Sequence, residues 1–92
     1  MEIERMINEI VISLEDLAED TSVPRNIRRD AKEASSKWLV NTSKPFDVRI
    51  FTVINILENL ADDPNIPMHA RTQIYSIISN LESVNQMEKN KK

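Results

Sequence analysis

The sequence predicts an all-α fold, an antiparallel four-helix bundle built from two repeated helical hairpins, and three observations carry that prediction. Apolar residues recur at steps of three and four along four separate stretches. The breaks between the stretches contain all 4 prolines of the chain. The pattern of the first half also returns in the second half after a shift of 43 positions, which carries Leu14 onto Leu57. No segment shows the strict alternation of a half-buried strand.

The first stripe is Ile3, Ile7, Ile10, Leu14 and Leu17, one face of a helix expected over about residues 2–20. Ile27, Ala31, Ala34 and Trp38 place a second helix at about 24–40. Phe46, Ile50, Val53, Leu57 and Leu60 place a third at about 45–62, and Ala70, Ile74, Ile77, Leu81 and Val84 a fourth at about 67–87. Pro24, Pro45 and Pro67 suit a first helical turn, where a missing N–H has no intrahelical partner to lose. Ser22 and Ser43 are the expected N-caps beside the first two prolines. With Gly absent, Asn41 is the residue expected to take the left-handed conformation that closes the second helix. The hairpins, at about 2–40 and 45–87, form a single domain over 1–87, and the charged tail 88–92 is expected to be frayed.

The repeat is most explicit at the hairpin turns. Leu14-Glu15-x-Leu17-Ala18-x-Asp20-x-x-x-Pro24-x-x-x-Arg28 returns as Leu57-Glu58-x-Leu60-Ala61-x-Asp63-x-x-x-Pro67-x-x-x-Arg71. The apolar stripes superpose under the same shift, which implies a pseudo-two-fold relation between halves. A hairpin alone would leave its stripe in water, so packing one half on the other is the physical reason for the fold.

The doubled motif resembles an uncharacterised, largely archaeal family of small all-helical proteins. The segments that carry the resemblance are Asp20 to Arg29, Pro45-Phe46-Asp47-Val48-Arg49, and Asp63-Pro64-Asn65-Ile66-Pro67-Met68-His69-Ala70-Arg71-Thr72-Gln73-Ile74. The resemblance implies a compact four-helix bundle of unassigned function and brings no catalytic or binding residues with it. The repeat unit also resembles a HEAT-type helical hairpin, whose period of about 40–47 residues it fits. Two units fall short of the three or more that a solenoid needs, so a closed bundle is expected rather than an open stack.

The residues offer little for chemistry. The 92-residue chain has no Cys and no Gly, which removes thiolate nucleophiles, zinc–thiolate sites and phosphate-cradling glycine loops. No G-x-S-x-G or H-E-x-x-H pattern is present. His69, the only histidine, lacks the spaced co-ligands or orienting partner that metal binding or catalysis requires, and is expected to serve the turn or the surface. No enzymatic activity, cofactor or metal is therefore expected. Asp20 and Asp63 end their helices, where the macrodipole disfavours a carboxylate. Each is expected to accept hydrogen bonds from turn N–H groups and from the Arg eight residues on, Arg28 or Arg71, making Asp20, Arg28, Asp63, Arg71, Pro24 and Pro67 the structural turn set. The neighbouring pairs Glu19–Asp20 and Asp62–Asp63 do not face one another on a helix, and read as solvated helix ends.

Two surfaces invite partners. The first helix carries seven acids against Arg5, while the second carries Arg25, Arg28, Arg29, Lys32 and Lys37 against two acids. Opposite charge on adjacent helices supports their pairing. The same basic helix, through Arg25, Arg28, Arg29 and Lys32, is also the candidate nucleic-acid patch of a ribonucleoprotein accessory factor. The second hairpin has an apolar surplus beyond its stripes, and Phe51, Ile54, Tyr75 and Ile78 are its candidate interface residues. The leading functional expectation is a non-catalytic interaction or assembly module that engages a protein partner or a second copy of itself. Nucleic-acid binding is the alternative. The N-terminal residues lack a signal-peptide layout, and no apolar run reaches the ~18 residues of a membrane span, so a cytoplasmic location away from membranes is expected.

Overall fold

In the computed structural model, residues 1–91 are described. They form α1 (Glu2–Ala18), α2 (Arg25–Glu33) continued by a π-helical segment (Ala34–Leu39), α3 (Phe46–Ala61) and α4 (Met68–Lys89). There is no strand among the described residues. The short connectors make consecutive helices antiparallel neighbours. α1 packs on α2, the α2–π rod on α3, and α3 on α4, while α4 also packs on α1. This closes the ring, so the arrangement is a bundle of about 42 × 22 × 19 Å and not an open stack.

Each predicted stripe faces one shared interior. Ile10, Leu14, Leu17, Ile27, Ala31, Ile50, Val53, Leu57, Ile74, Ile77 and Leu81 all lie in the same buried cluster. Positions related by the 43-residue shift share their burial: Leu14 with Leu57, Leu17 with Leu60, Ile27 with Ala70, Ala31 with Ile74. The connectors contribute as well. Val23 and Ile66, also 43 apart, plug the first and third turns into the core.

Helix starts and ends differ from the sequence expectation in an informative way. Pro24, Pro45 and Pro67 are themselves the N-caps, in extended conformation, and no side chain caps these helices. Their carbonyls accept the first helical bonds, from Arg28 N, Arg49 N and Arg71 N at 3.1 Å each. Ser22 and Ser43 therefore do not cap: each turns back instead onto the side chain two residues before it. Asn41 is not left-handed either, since no described residue has positive φ. α4 runs through Glu88 and Lys89, so the start of the expected frayed tail is helical, whereas Lys92 lies outside the described residues.

The largest departure is in the second helix. From Ala34 the hydrogen bonds widen to i→i+5, with Val40 N donating to Ser35 O at 3.3 Å. Such a turn holds one extra residue and delays every later side chain by one position. Leu39 consequently takes the core site at 0 % exposure, and Trp38, the expected core residue, is only partly buried against the cluster. Under the repeat, Leu39 matches the exposed Glu82, and Trp38 matches the buried Leu81.

Candidate binding surfaces

The three connectors share one construction. Asp20, Asn41 and Asp63 each accept through Oδ1 from the backbone N–H two residues on, namely Ser22 N at 3.0 Å, Ser43 N at 3.0 Å and Asn65 N at 2.8 Å. Four residues after each acceptor stands the N-cap proline, and eight after it an arginine: Arg28, Arg49 and Arg71. These arginines reach backbone carbonyls, and not the Asp carboxylates expected from the sequence. Arg49 donates to Leu39 O from Nη2 at 2.6 Å and from Nε at 3.2 Å. Arg71 bridges Ala61 O at 3.0 Å and the backbone O of Asp63 at 3.2 Å. The chemistry follows from the missing glycine. Without a left-handed C-cap, the last carbonyls of a helix need another donor, and a cation suits the negative end of the dipole. The signal was legible in Asn41-Thr42-Ser43-Lys44-Pro45-x-x-x-Arg49, which repeats the spacing of the other two turns.

The first connector departs from the others. Arg28 donates only to Val23 O, at 3.0 Å. Asp20, like Asn41, also accepts from the serine Oγ two residues on, Ser22 at 2.6 Å, and alone of the three it reaches another helix, its Oδ2 lying 2.8 Å from His69 Nε2 at the start of α4. Ser22 chiefly, then His69, holds the Asp20 carboxyl down at about 2, against an ordinary value of 3.8. The sequence did not place His69 against Asp20, because 49 residues separate them.

An aspartate, a histidine and a serine in mutual contact invite comparison with a nucleophilic triad, and the geometry rejects it. A carboxylate only accepts, so the proton sits on Nε2, the same nitrogen that lies 3.3 Å from Ser22 Oγ. Ser22 gives its own proton to Asp20. No basic imidazole nitrogen is placed to take a proton from Ser22, as such a mechanism demands. The group is an exposed tie between the first turn and α4. Among the described residues no cluster of three or more His, Asp or Glu is arranged to hold a metal ion.

The four basic residues of the expected nucleic-acid patch come together. Arg25, Arg28, Arg29 and Lys32 line one groove of about 370 Å³ between α1 and α2, whose α1 side is lined by Glu15, Ala18 and Glu19. Among the described residues only Arg29 of the four is ion-paired, to Asp30 at 3.3 Å.

The expected apolar interface is divided. Ile54 and Ile78 are core residues, 7 % and 8 % exposed, because α3 and α4 pack on each other over a face wider than one stripe. Phe51 and Tyr75, each one turn before those isoleucines, are 50 % and 53 % exposed. Val48 and Met68 add exposed apolar surface on the same two helices.

The uncharacterised protein family UPF0147 matches residues 1–84. A UPF0147 protein of Thermoplasma volcanium is 40% identical over 81 residues, covering 88% of this chain and 90% of that one. A UPF0147 protein of Methanothermobacter thermautotrophicus is 48% identical over 79 residues, covering 86% of this chain and 76% of that one. The crystal structure of a protein from the same family, from Thermoplasma acidophilum, superposes with a TM-score of 0.85 at 36% identity. That match covers 91% of this chain and 99% of its counterpart.

Proposed function

The chain belongs to the uncharacterised protein family UPF0147, and from its surface we propose that it is a non-catalytic interaction or assembly module of the cytosol. It engages protein through the α3–α4 face, with self-association as the first form of that engagement. One observation carries the reading: Phe51 and Tyr75 stand half-exposed beside buried Ile54 and Ile78, so apolar surface continues outward from the core. In the first hairpin the matching positions are Asn8 and Lys32. A scattered apolar residue needs no partner, but two aromatics beside a continuous apolar seam make the kind of surface that interfaces bury. No helix among the described residues is long and apolar enough to cross a membrane.

Light scattering behind a sizing column tests the reading. The mass should rise above the 10.6 kDa of one chain as concentration increases, and Phe51→Ser with Tyr75→Ser should return it to the monomer. A mass fixed at one chain at every concentration removes self-association from the proposal.

A further inference from the structure

The α1–α2 groove is the other surface that the packing leaves unused. The 43-residue shift gives it an internal control. Its lining residues Arg25, Arg28, Arg29 and Lys32 correspond to Met68, Arg71, Thr72 and Tyr75 in the second hairpin. Both hairpins keep one arginine, and only the first adds three cations. The retained arginine is also used differently. Arg71 is consumed by Ala61 O and the Asp63 carbonyl. Arg28 leaves the equivalent Ala18 carbonyl alone, holds Val23 O through Nε and lines the groove. Pairing α1 with α2 does not account for these charges, because Arg25, Arg28 and Lys32 form no ion pair among the described residues, although Glu15 and Glu19 line the same groove.

We infer that this groove binds the sugar–phosphate backbone of single-stranded RNA. A row of cations along one wall suits phosphates spaced along a strand. The α1 side presents carboxylates, which accept hydrogen bonds and repel anions. A ligand that fills the groove therefore needs anionic groups on one side and hydroxyl donors on the other. A ribose–phosphate chain has both, through its phosphates and 2′-hydroxyls. An acidic peptide carries amide N–H donors but no hydroxyl beside each anion, and DNA lacks the 2′-hydroxyl. Among the described residues the exposed aromatic side chains, Phe51 and Tyr75, lie on the other hairpin and no aromatic lines the groove, so binding there is indifferent to sequence.

Fluorescence anisotropy with a labelled oligouridylate, its DNA counterpart and polyglutamate tests the inference on the full chain. RNA affinity should fall roughly tenfold for a threefold rise in salt, the slope of about three released counterions on a single strand. The triple variant Arg25→Gln, Arg29→Gln, Lys32→Gln changes only exposed side chains. It should keep its helical circular dichroism and lose at least tenfold in RNA affinity. The variant Lys37→Gln, Lys44→Gln, Lys89→Gln removes as much charge elsewhere and should bind like the parent. No RNA binding at low salt, equal loss in both variants, or equal binding of DNA or polyglutamate would each overturn it.

Discussion

The turn at residues 20–24 and the turn at 63–67 begin from the same residue pattern and reach different structures. The second is closed locally: Asp63 holds Asn65 N, and Arg71 clamps the end of α3. The first is closed at long range, with Asp20 tied to His69 on α4 and Arg28 released from the end of α1. The shared pattern fixes how the backbone turns, since an aspartate two residues before an amide and a proline N-cap act over a few residues. Which carbonyl the arginine takes depends on neighbours that the pattern does not contain. His69 is matched in the first hairpin by Asn26, so the tie at the first turn has no counterpart at the second.

The comparison breaks most widely at the π-helical segment. Leu39→Ala should cost about 3 kcal/mol in urea unfolding, the usual loss for a fully buried leucine, whereas Glu82→Ala at the matching position should change stability little. Equal small effects would mean that the second helix runs as regular α-helix, with Trp38 in the core.

A smaller difference is expected between the arginines. Arg71→Met removes two bonds to helix-end carbonyls and should cost about 2 kcal/mol, against about 1 kcal/mol for Arg28→Met, which removes one. If the two variants melt alike, the release of Arg28 is not a stable feature of the first turn.

Asp20 sharpens the comparison with pH. Its carboxyl is held near 2 in the folded protein and titrates near 3.8 when unconstrained. A lowered carboxyl stabilises the fold in full above its unfolded value, and that stabilisation is lost as pH falls from about 3.8 through about 2. The melting temperature of the parent should therefore exceed that of Asp20→Asn at neutral pH, and the gap should shrink across that acid window. Asp63→Ala should lower the melting temperature less than Asp20→Ala, because Asp63 serves one hydrogen bond and Asp20 three. His69→Gln should fall between the parent and Asp20→Ala, since it removes one of those three bonds.

The fold was legible because its determinants are local and redundant. Leu14, Leu57 and Ile74 needed only helical spacing to be placed in the core, and the prolines marked every break. The four cations of the groove were legible for the same reason, as Arg25, Arg28, Arg29 and Lys32 share one face of a short helix. Ile54 and Ile78 were not, because the width of a buried face depends on how closely two helices approach. The contact of His69 with Asp20 was hidden by 49 residues of separation.

Four amphipathic rods, three turns that end on a helix-starting proline and the charge borne by each helix are written in residue type and spacing, through sterics and hydrophobicity that operate within a few residues. Packing made the remaining choices: the extra residue in the turn at 34–39 that buries Leu39 in place of Trp38, the carbonyl each arginine holds, and the exposure of Phe51 and Tyr75. Those outcomes rest on how four rods fill one interior, and the fit between distant side chains has no signature in the spacing of any single rod.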